Sequence, residues 1–80
     1  MITKTFGPTT VNVCEDTAKC IVHTPVNDTV NLVADYIDKN NFTVLMIYGS
    51  SNSTLALKRQ VGGYITEDYE QAKELEKTLC

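Results

Sequence analysis

Cys14, Cys20, Cys80 and His23 are the chain's three cysteines and its single histidine. By number they could furnish the four ligands of a zinc ion. Structural zinc sites rely on close pairs such as C-x₂-C, which put two thiolates on one tight turn. The spacing here is C-x₅-C-x₂-H, followed by 56 residues to a terminal cysteine. On a strand, Cys20 and His23 point to opposite faces, which separates them both as co-ligands and as a nucleophile–base pair. Cys14 can approach His23 across a hairpin, but no oxyanion hole or third orienting group is marked. These residues therefore read as two small, half-buried cysteines on a hairpin and a surface imidazole. No metal, cofactor or catalytic set is expected, and the chain is not read as an enzyme. An odd cysteine count argues against a disulfide framework and for a reducing compartment, with Cys80 unpaired on a frayed terminus.

Two other segments could carry chemistry. Gly49-Ser50-Ser51-Asn52-Ser53 is small, polar and glycine-started, like a phosphate-cradling loop. Such loops feed a helix whose N-terminal amides face the anion, whereas the residues that follow here alternate like a strand. A hairpin turn accounts for the segment. Lys58 and Arg59, with Tyr48 and Tyr64, could form a basic, aromatic surface for single-stranded nucleic acid. Only two adjacent cations are present, and counterion release needs several phosphate contacts. Direct nucleic-acid binding through Lys58, Arg59 and Tyr48 is thus the alternative reading. The simpler one is an edge strand whose charges discourage pairing with other sheets.

Charge distribution is more informative. Residues 1–66 carry five Lys/Arg and five Asp/Glu, while residues 67–80 carry two and five, so the net charge of -3 sits on the last segment. An acidic helix on a neutral body can dock a basic surface on a partner. The expected contact residues are Glu67, Asp68, Glu70 and Glu74, with Tyr64 and Tyr69 as aromatic anchors. Reversing the four acids to lysine is expected to abolish binding with stability nearly unchanged.

The elements that must position these residues follow from periodicity. Ile2–Phe6, Thr9–Cys14 and Lys19–His23 are Thr- and Val-rich runs separated by Gly7-Pro8 and by Glu15-Asp16-Thr17-Ala18, and they predict three strands. Asn27-Asp28-Thr29 offers caps for a helix in which Val30, Val33, Ala34 and Ile37 fall at i, i+3, i+4 and i+7. Phe42–Tyr48 is apolar on both parities and predicts a central strand covered on both sides. Thr54–Val61 alternates and predicts another strand. Thr66 then caps a helix striped by Tyr69, Ala72, Leu75 and Leu79, with Glu70–Lys73 and Glu74–Lys77 paired outside. The expected fold is α+β: an antiparallel sheet of about five strands with two helices packed on one face, in the order β-β-β-α-β-β-α.

Gln60-Val61-Gly62-Gly63-Tyr64 through Ala72-Lys73-Glu74-Leu75 resembles, over about 20 residues, the opening of peptidoglycan-binding sporulation-related repeat domains. In that family a strand ending Q-V-G-x-aromatic leads to a capped helix. There the segment begins the domain, and here it closes the chain, so it reads as a strand–cap–helix idiom. At 80 residues, acidic and without a catalytic set, the chain is similar in scale to small phage-encoded inhibitors, including anti-CRISPR proteins.

The leading expectation is a single-domain, non-enzymatic inhibitor or adaptor. It would occlude a surface of a larger protein or ribonucleoprotein machine, such as a basic nucleic-acid channel. No signal-peptide core or bilayer-length apolar run occurs, which predicts a cytoplasmic protein without a membrane partner. An exposed edge strand would permit a homodimer.

Overall fold

A computed structural model describes all residues, 1–80. Strands β1 (Ile2–Phe6), β2 (Thr9–Cys14) and β3 (Lys19–Thr24) form an antiparallel meander. Helix α1 (Val30–Lys39) then crosses to β4 (Thr43–Gly49), which pairs parallel to β3. Two further helices follow, α2 (Ser51–Val61) and α3 (Tyr69–Lys77). The sheet order is β1-β2-β3-β4. The class is α+β, but the sheet has four strands and is mixed, and there are three helices rather than two. No helix is long and apolar enough to cross a membrane.

Sequence period explains most of this directly. Val30, Val33, Ala34 and Ile37, the i, i+3, i+4, i+7 set, are the buried residues of α1. Asn40 closes that helix, and Asn41 takes a φ of 57°, the left-handed conformation that asparagine tolerates. Thr29 occupies the N-cap without a side-chain cap bond; its hydroxyl instead pairs with Thr9 Oγ1 at 2.7 Å, tying the helix start to β2. β4 is apolar on both parities because both its faces are covered. Val44 and Ile47 lie in one core cluster, and Met46 and Tyr48 in another. A register shift between Cys20 and Ile21 leaves Leu45 as the extra residue on β4.

The expected fifth strand, Thr54–Val61, is instead most of α2. Its alternation was incidental: Leu55 is 51% exposed, while Ser53, Thr54 and Leu57 are buried at helical spacing. Ser50 Oγ accepts the amide of Ser53 at 3.4 Å as an N-cap. Gly62, at φ 74°, closes the helix with its amide on Lys58 O at 2.8 Å. The turn into α2 requires Gly49, because a Cβ there would lie 2.2 Å from Thr24 O.

The helices occupy both faces of the sheet. On one side, α1 and α2 close an eleven-residue cluster with Val11, Val13, Cys20, Val22, Val44 and Ile47. On the other, α3 places Ala72 and Leu79 over Cys14, Ile21, Met46 and Tyr48, a cluster of six. The two helices expected to share one face, now α1 and α3, therefore lie on opposite faces, and α1 shares its face with α2, the segment expected to be a strand. α3 is joined to this face by more than packing, because Cys14 and Cys80 form a disulfide with a Cα–Cα distance of 5.6 Å. That bond overturns the reading of Cys80 as unpaired. Closing a loop across a sequence separation of 66 removes unfolded-state entropy, a stabilisation on the order of 4 kcal/mol in the chain-entropy account.

Candidate interaction face on the C-terminal helix

Backbone pairing holds the base of α3. Ile47 N donates to Tyr64 O at 2.7 Å and Thr66 N donates to Ile47 O at 3.0 Å, so residues 64–66 cover part of the free edge of β4. The expected cap, Thr66, lies two residues too early. The N-cap is Asp68, whose Oδ1 accepts the amides of Glu70 at 3.0 Å and Gln71 at 3.2 Å. Thr66 supports it, accepting the Asp68 amide at 3.1 Å and donating to Gln71 Oε1 at 3.1 Å. Reversing all four acids would therefore remove a cap, so the expectation of nearly unchanged stability does not extend to Asp68.

The predicted acids Glu67, Asp68, Glu70 and Glu74 are all exposed. Glu70 and Glu74, at i and i+4, lie on the side of α3 opposite Ala72 and Leu79. The chain's one ion pair joins Lys73 to Glu76 at 3.5 Å, not the expected Glu70–Lys73 or Glu74–Lys77. Glu67, Glu70 and Glu74 are thus left without a cation partner. Tyr64 is 64% exposed at the base of the helix and Tyr69 57% exposed in its first turn.

A second group of side chains lies where α3 crosses β3 and β4. His23 stacks on Tyr48 with centroids 4.6 Å apart, and Tyr69 meets Tyr48 edge-on at 5.8 Å. Lys73 Nζ sits 5.3 Å from the Tyr69 ring centroid, and Asn12 Nδ2 donates to Glu76 Oε1 across to β2. Burial, and then the Lys73 charge, lowers the His23 pKa below its ordinary value. Hydrogen bonding to Tyr69, and then Glu76, raises that of Lys73. Burial raises that of Tyr48. This arrangement fixes the helix on the sheet by stacking and charge.

Other predicted sets are not brought together. Lys58 and Arg59 lie exposed in the last turn of α2, while Tyr48 is 8% exposed beneath α3 on the opposite sheet face. The zinc set disperses: Cys14 and Cys80 are bonded to each other, Cys20 packs under α1, and His23 faces α3. Thr10, not Cys14, is the partner of His23 across the hairpin. Gln60 and Val61 end a helix, which removes the strand from the strand–cap–helix idiom.

Gly49–Ser53 does open a helix, contrary to expectation, beside a pocket of about 180 Å³ lined in part by Thr54, Thr66 and Glu67. Of the hydroxyls there, Ser50 Oγ is used on Ser53 Oγ at 2.7 Å and Thr54 Oγ1 on Ser51 O at 3.0 Å. Glu67 on its wall opposes an anion. Sequence reasoning missed Asn12, Glu76 and the Cys14–Cys80 bond. The signal available for Asn12 was parity alone, which puts it on the Cys14 face of β2, opposite Val11 and Val13.

No protein-family model matches the chain, and no curated protein matches it significantly.

Proposed function

We propose that this chain is a non-enzymatic binding module that lays the outward face of α3 against a basic surface of a larger protein or ribonucleoprotein assembly. The observation that carries this reading is the exposure of Glu67, Glu70 and Glu74 without cation partners, beside the two exposed tyrosines Tyr64 and Tyr69. Unpaired surface carboxylates cost nothing in water and give steering and specificity when a basic partner approaches. Exposed tyrosines supply rigid, amphipathic contact area at small entropic cost. The mechanism is occlusion: the helix occupies charge that a nucleic acid or another acidic ligand of the partner would otherwise use.

The test is capture from nuclease-treated host lysate, comparing the wild type with an E67K/E70K/E74K variant that keeps the Asp68 cap. A basic partner retained by the wild type, released by added salt and lost in the variant supports the reading. Equal capture by both proteins, or capture that vanishes with nuclease, overturns it.

A further inference from the structure

We propose that the Cys14–Cys80 disulfide is a redox latch: reduction by a dithiol frees α3 from the sheet while the α1/α2 side of the molecule stays folded. This inference does not depend on what α3 binds.

Three observations make α3 a strap rather than part of the main core. The eleven-residue cluster on the α1/α2 side contains no residue after Leu57, so it does not need α3 to be complete. On the other side, the apolar hold of α3 is Ala72 and Leu79, with Leu75 half-buried. A nine-residue helix is shorter than the roughly 12–15 residues at which isolated helices become even marginal in water. It therefore depends on its attachments. Those attachments stand at its two ends: the backbone pairing of residues 64–66 to Ile47, and the disulfide at the terminal residue. Cutting the second leaves a short helix tethered at one end, with the Tyr48–Tyr69 contact, the Asn12–Glu76 bond and a few apolar side chains along its length.

The chemistry is directional. Cys14 is fully buried and Cys80 is exposed, so an incoming thiolate reaches the Cys80 sulfur. Attack there forms a mixed disulfide on Cys80 and expels Cys14 as thiolate, which takes a proton. The second thiol of the reductant then attacks the mixed disulfide, releasing Cys80 and leaving the reductant as a cyclic disulfide. Two electrons pass from the dithiol to the protein. Cys20 does not intercept the exchange: it lies on the opposite sheet face, and burial pushes its thiol up to about 12. Opening uncovers Ile21, Met46 and Tyr48, now shielded by the strap.

The test is native hydrogen exchange on the oxidised and dithiothreitol-reduced full chain, with intact mass reporting the two hydrogens gained. Expected is near-complete loss of protection at amides 70–79, a tenfold or greater acceleration, while those of β2, β3 and α1 keep substantial protection, reduced only by the lost loop constraint. C80S should show the open pattern without reductant, and C20S should latch and respond like the wild type. Three results each overturn the proposal: no Cys14–Cys80 link in air-oxidised protein, exchange at α3 indifferent to reduction, or loss of protection throughout the chain. The last would make the bond a staple for the whole fold.

Discussion

The two faces of the sheet are built by different means. On the α1/α2 face, aliphatic side chains from β2, β3, β4 and two helices interlock, and every buried residue of α1 was legible from its spacing. On the α3 face, the apolar cluster is about half that size and is supplemented by a disulfide, aromatic stacking and a polar link to β2. One helix pair is held by packing and the other helix by ties. The physical reason is area: packing stabilises in proportion to the surface removed from water, and one short helix striped by alanine and two leucines removes little.

Matched deletions on the two faces give the largest expected contrast. Ile37→Ala, at 1% exposure in the main cluster, should cost about 3–4 kcal/mol in urea unfolding, because its neighbours cannot collapse into the space. Leu79→Ala should cost less, about 1–2 kcal/mol, since a tethered helix can settle toward the sheet. Equal losses would erase the distinction.

Caps sharpen it at a smaller scale. Ser50→Ala and Asp68→Ala each remove one N-cap, worth about 1 kcal/mol. The Ser50 loss should appear in global unfolding. The Asp68 loss should appear mostly as faster amide exchange confined to α3. A global loss from both would mean that α3 unfolds with the rest.

The smallest effect is on pH dependence. His23 binds its proton less readily when folded than when unfolded, so protonation favours the unfolded chain. Stability is full above the unfolded value near 6.5 and declines as pH falls from there toward the lowered folded value. His23→Gln should flatten that part of a urea-midpoint titration, and Lys73→Met should reduce its slope. An unchanged profile in His23→Gln would show that the imidazole is not held by the α3 face.

Local pattern determined a good deal of this protein. The three-strand meander, α1 and its buried set, the doubly covered β4 and the exposed acidic run at residues 67–74 all follow from periods of 2 and 3.6 and from composition. These depend on neighbours a few residues apart, which a sequence displays. Thr54–Val61 was ambiguous because Leu55, Leu57 and Val61 satisfy alternation, while the decisive signals were Ser50 before the segment and Gly62 after it. Tertiary structure decided which sheet face each helix covers, the parallel pairing of β3 with β4, and the bond between Cys14 and Cys80. Those outcomes join residues as many as 66 positions apart. Which surfaces meet at that range is set by the crossover of α1 and the return of the terminus across the sheet, and no local period records it.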